Sequence, residues 1–228
     1  MRTVPRVPRA ICLCLLGLLI FRSAATAQTT DPRLPWWVVD LHAATVGLPQ
    51  AEGWVPVLPT GTLYPGRGWG VAGGGMIYPL RLSKFAFGVG ASVIAGKGTL
   101  DTVTVIGSGN TATISVTQTV HTAITSVVPQ VSINFGRRLG WSYLSAGAGP
   151  SKVSSNNDAI GTTPAQTVPE AWNQALNFGG GAKWFMKPHL GAGFDVRWVK
   201  LMTRGATDIL PEAKRTQVWN ISAGISIQ

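Results

Sequence analysis

Charge is what this sequence has least of. Only 12% of its 228 residues are Asp, Glu, Lys or Arg, about half the share of an ordinary soluble domain. Too few charged side chains remain to clothe a conventional water-facing surface. Cysteine is nearly absent too: Cys12 and Cys14 both lie in the first 27 residues, so the chain beyond them can form neither a disulfide nor a Cys-based metal site. Past residue 22 there is also no apolar run approaching the roughly 20 residues that a membrane-spanning helix needs. Yet 45% of the residues are hydrophobic and mean hydropathy is +0.22. Apolar residues this abundant, with no long run, must be spread in short alternating segments.

The one strongly apolar stretch belongs to the N-terminus. Arg2, Arg6 and Arg9 precede an eleven-residue apolar core, Ile11 to Phe21, closed by Arg22, and Ala25-Thr-Ala27 forms a small-x-small cleavage site. A positive lead, a short apolar core and a small-residue exit are the marks of an export signal. Residues 1–27 are therefore expected to be cleaved, 28–35 to form a short lead, and 36–228 to fold as one domain. Removing the four leader arginines leaves 15 basic against 9 acidic residues, a net of +6. The remaining Lys and Arg are scattered, and an exported chain has little occasion to meet nucleic acid, so that class of partner is set aside.

In the mature region the dominant signal is period-two alternation over segments of about ten residues. From 85 to 96, Phe85, Phe87, Val89, Ala91, Val93 and Ala95 alternate with Gly88, Gly90, Ser92 and Gly96. From 127 to 137, Val131, Ile133 and Phe135 alternate with Gln130, Ser132 and Asn134. The split recurs over 176–186, 192–198 and 218–228, and more weakly over 37–47, 68–78 and 141–149. Each segment has the 9 to 11 residues that a tilted strand needs to cross hydrocarbon. Short connections (79–84, 137–140, 187–190) alternate with long polar ones (49–66, 99–124, 151–174, 203–215), as in barrels with short periplasmic turns and long outer loops. The expected fold is an all-β, antiparallel, up-and-down transmembrane β-barrel of eight strands. Within 99–124, the stretches Asp101–Ile106 and Thr111–Val116 look like a hairpin of their own. They are too short and too polar to span, and are read as an outward extension of the neighbouring hairpin.

Gly179 to Arg197, a Gly-rich strand, a short Lys-Pro-His turn and an Asp-x-Arg strand, resembles the small outer-membrane β-barrels of the OmpA/OmpX type, and the similarity runs over residues 36–228. The resemblance implies location in the cell outer membrane of a Gram-negative-type envelope, with membrane lipids, lipopolysaccharide and the outer-membrane assembly machinery as partners. The chain departs from it at the end: such barrels commonly finish on an aromatic residue, and here the last is Gln228.

Alternation puts Asp40, His42, Lys183, Asp195 and Arg197 on the lumen side, where buried charges require partners. A salt-bridged filling of a narrow lumen is the expected role; proton or ion gating is the sharper alternative. Arg81, Lys84, Arg137, Arg138 and Lys187 fall at the short turns and are expected to meet anionic headgroups, with Trp141, Tyr78, Phe85, Trp184 and Phe185 as an aromatic girdle. Gly73–Gly75 and Gly179–Gly181 sit inside strands, not at a strand-to-helix junction, so they make no phosphate cradle. No catalytic residue, metal or cofactor is expected. Of the histidines, only His121 lies among hydroxyl residues at a level where lipid A chemistry could occur, and no serine stands at a fixed spacing to it. The expected function is a non-enzymatic outer-membrane protein with loops available for an extracellular ligand that the sequence does not name. The alternatives are a small-solute channel and, behind it, a lipid A-modifying enzyme.

Overall fold

The structure is a computed structural model that describes residues 33–55, 63–82, 85–106, 114–158, 165, 167–206 and 211–228, with the side chains of 103–106, 114–116 and 169 left out. The expected leader 1–27, most of the 28–35 lead and Lys84 lie outside the described residues.

A strand in hydrocarbon must bond every N–H and C=O to a neighbouring strand, and closure is the way a sheet does this without leaving an edge. The chain meets that condition with eight strands: β1 (Trp37–Gly47), β2 (Arg67–Arg81), β3 (Phe85–Ile106), β4 (Ile114–Arg137), β5 (Gly140–Asn157), β6 (Thr167–Phe185), β7 (Leu190–Leu201) and β8 (Thr216–Ile227). Each pairs antiparallel with the next, and β1 closes on β8 from Val39↔Ile227 to Val46↔Asn220. The expected fold class and strand number are both present.

The period-two pattern sorts side chains to opposite faces of this wall. Leu41, Val71, Val89, Val131, Leu144, Ile221 and Ile225 point outward and are exposed, whereas Ser132, Asn134, Asn177, Asn220 and Ser222 point inward and are buried. A soluble barrel would place them the other way round. An apolar exterior this continuous needs lipid around it.

The Thr/Val stretch does extend the β3–β4 hairpin. One unbroken ladder runs from Phe85↔Phe135 to Ile106↔Ile114. Two expected loops are corrected by this extension. Segment 99–124 is mostly strand, and 151–174 is strand to Asn157 and again from Thr167. Thr and Val favour the extended, pleated backbone whether or not lipid surrounds it, so pairing does not stop where the hydrocarbon does.

Two local departures have a proline in them. The β2–β3 register shifts between Ile77 and Leu80, around Pro79, and the Tyr78 amide there donates to Trp36 O at 2.9 Å instead. Between β4 and β5 the pairing stops after Ser126↔Ser151 and resumes at Gln130↔Gly147. Pro129 and Pro150 stand in the gap and have no N–H to give. The strands still touch across it: a Cβ on Gly149 would lie 2.3 Å from Val127 O.

Small residues make the narrow lumen possible. At Gly90 an added Cβ would sit 1.9 Å from Gly75 O and 2.6 Å from Met76 Sδ. The first obstacle is backbone, which cannot swing aside. Gly90→Val is therefore expected to cost at least about 3 kcal/mol by overpacking, read as a lowered urea midpoint for the heat-modifiable folded band; an unchanged midpoint would mean that the wall is looser than described.

Candidate functional site

The lumen is filled in three layers. Nearest the short turns, Leu34, Val38, Met76, Tyr78, Ala86, Trp141, Tyr143 and Phe185 form an apolar plug. Trp141 stacks on Phe185 (centroids 5.1 Å apart, 12° between planes) and meets Tyr78 edge-on at 6.4 Å. This corrects the expected girdle: Tyr78, Trp141 and Phe185 point into the barrel, while Phe85 and Trp184 face outward. An aromatic near a strand end has two faces to choose from, and the plug takes those whose strand parity is inward. At the opposite end Ala44, Val46, Ile94, Ile124, Val153, Val199, Leu201 and Val218 pack beneath fully buried Trp54. Its indole N–H donates to Lys214 O at 2.8 Å, and Arg204 lies over its ring at 5.6 Å while donating to Gly53 O. Burial lowers the Arg204 pKa from the ordinary guanidinium value.

Between these apolar layers lies a belt of charge. Asp40 of β1 pairs with Lys183 of β6 across the lumen and accepts a 2.6 Å bond from Ser226 of β8. Asp195 and Arg197 of β7 pair at 2.6 Å, and Arg197 Nη1 donates to Gln130 Oε1 of β4 at 2.6 Å. Tyr143 of β5 joins the two pairs. Its hydroxyl donates to Asp195, and its ring lies 5.1 Å from the Lys183 ammonium. His42 is 3.2 Å from Ser222 Oγ through Nδ1. Two carboxylates thus meet two cations, which is how buried charge avoids an unpaired cost of several kcal/mol per ion. The structure brings all five residues read from alternation into this one layer. Sequence reasoning had Gln130, Ser222 and Ser226 on the correct face without a role. It missed Tyr143, whose strand carried a weaker signal. A cavity of about 30 Å³ lies in this belt, bordered by Asp40, His42, Ser92, Asp195 and Arg197.

No family model matches the sequence, and no curated protein does. Solved structures do. The Neisserial surface protein A matches with a TM-score of 0.50 and 12% identity over 85% of this chain and 97% of that one. The fold is that of a small outer-membrane β-barrel. Ail, the attachment invasion locus protein of Yersinia pestis, matches at TM-score 0.48 and 12% identity over 86% of this chain and 99% of its own. The outer membrane protease OmpT of Escherichia coli matches at 0.47 and 8% over 90% and 99%. Likeness at this level concerns fold, and fold does not name a role.

In this outer-membrane barrel fold the short turns are tied to the segment that leads into β1 and to Gln228. Arg81 donates to Leu34 O at 3.0 Å and lies 3.9 Å over the Trp36 ring. Gln228 joins the β6–β7 turn: its amide nitrogens donate to His189 O at 3.3 Å and Pro188 O at 2.8 Å. Arg137 and Lys187 are exposed at their turns and Arg138 is half-exposed. At the other end His121 lies 3.1 Å from Thr99 Oγ1 and 3.8 Å from Asp158. Order of hydroxyl, imidazole and carboxylate is that of a catalytic relay, but the second separation is too long for a hydrogen bond, and all three side chains are open to solvent. The contacts are those of a solvated polar row.

Removing one member of the central pair leaves its partner charged and buried. Lys183→Met is expected to cost roughly 3–5 kcal/mol, and Asp40→Asn combined with Lys183→Met less than the two singles summed, by at least about 1 kcal/mol. Urea titration of the refolded barrel measures both; strict additivity would show that the pair is not coupled.

Proposed function

We propose that the chain is exported, inserts into the outer membrane, and works by what it holds at the cell surface, not by what passes through it. The observation that carries this reading is the filled lumen: an aromatic plug, a paired charge layer and an apolar core under Trp54 leave a gap of about 30 Å³ in the charged belt, room for two or three waters. Eight strands enclose little more than their own side chains. The polar extensions of β3–β4 and β5–β6 supply the surface available to an extracellular ligand. Arg81, Arg137, Arg138 and Lys187 would meet the anionic headgroups of the inner leaflet, where each exposed cation contributes about 1 kcal/mol. Membrane lipids, lipopolysaccharide and the assembly machinery are the partners this reading requires. The role is non-enzymatic.

Conductance separates this from the channel alternative. The purified chain in a planar bilayer is expected to give no steady ion current at neutral pH, and removal of Trp54 by Trp54→Ala to open no pore, because the charged belt and the aromatic plug still block the path. Regular single-channel steps from the unaltered protein would overturn the proposal.

A further inference from the structure

On the outward face the wall recedes at β5 and β6. Ser142 and Ala146 of β5 and Gly180 and Ala182 of β6 are small where their neighbours are large. Together they floor an apolar groove of about 1010 Å³, at the upper end of the size of ligand clefts. Phe178 and Trp198 wall one side, stacked at 4.9 Å. Register places Lys200 one step beyond this wall: Phe178 is paired with Trp198, and Leu176, the next outward residue on β6, with Lys200. Lys200 lies at the end of β7 away from the short 186–189 turn, the end that bears long connections. Among the described residues at this mouth, Lys200 has no acidic partner assigned to it.

We propose that this groove holds the acyl chains of one outer-leaflet lipid A, with a phosphate of that lipid on Lys200. The inference rests on the outer-membrane reading above. The groove lies in the apolar band, so its occupant is a lipid chain or a second barrel. A convex barrel wall fills a trough between aromatic ridges poorly, while flexible chains conform to it. The cation at the outer end then selects an anionic phosphorylated headgroup over a zwitterionic one.

Native mass spectrometry of the folded barrel in detergent, with added bisphosphorylated lipid A, tests this, with dephosphorylated lipid A and phosphatidylcholine as comparisons. The expected result is one lipid A retained per barrel, in preference to phosphatidylcholine. Filling the floor with Ala146→Leu and Ala182→Leu should abolish retention. Ser142→Leu provides the same test if the double variant does not fold. Lys200→Gln should weaken retention of phosphorylated lipid A about tenfold, the equivalent of one charge-assisted hydrogen bond, and leave the dephosphorylated form unaffected. Heat-modifiable migration of every variant separates loss of the groove from loss of the barrel. Equal retention by filled and unfilled barrels would overturn the proposal, as would equal retention of both lipid A forms. Dimers that vanish on filling would assign the groove to a barrel–barrel contact instead.

Discussion

A polypeptide that crosses hydrocarbon meets no water that can bond its backbone, and each unmade hydrogen bond there costs several kcal/mol. A helix satisfies the requirement within itself. A strand satisfies it only through neighbours on both sides, so the last strand must return to the first. In this chain the return is the β1–β8 ladder, eight register pairs from Val39↔Ile227 to Val46↔Asn220. Everything else adjusts to that closure. Eight strands give a lumen so narrow that inward positions are Gly, Ser or Ala wherever walls approach, and large wherever a layer must be filled.

The same constraint accounts for how the charges are arranged. Few charged residues are available, and those turned inward cannot be left alone in a space without bulk water. Asp40 with Lys183 and Asp195 with Arg197 balance each other, and Tyr143 and Gln130 take up remaining bonding capacity. Placing this layer between an aromatic plug and an apolar core shields it at both ends. The proline gap between β4 and β5 interrupts the ladder, and Gly147 and Gly149 keep the two backbones in contact across it.

Much of this was legible from alternation alone. Parity over 85–96, 127–137 and 218–228 assigned inward and outward faces, and parity over 37–47, 176–186 and 192–198 did the same for the five titratable lumen residues. Parity could not say how far a strand continues beyond the membrane, because Thr and Val at 99–106 and 114–120 read equally well as loop or strand. It also could not place aromatics close to a turn. Tyr78 sits at a register shift, while Phe185 shares the inward parity of Lys183 and Trp141 that of Tyr143, and only the folded barrel shows them stacked on each other between β5 and β6. Trp54 and Arg204 escaped notice for the same reason: they meet only when the segments beside β1 and β7 fold over one end of the barrel.

The central claim is that β8, like the rest of the wall, turns one face to lipid and the other to a dry, filled lumen. Single cysteines along β8, in a chain with Cys12 and Cys14 replaced, test it in lipid vesicles with a water-soluble and a lipid-soluble thiol reagent. Cysteine at 221, 223 and 225 is predicted to react from the lipid alone, and at 222 and 226 with neither reagent. Labelling of 222 and 226 from water would contradict the account by showing an open lumen, and labelling of 221, 223 and 225 from water would show that the apolar face does not lie in a membrane.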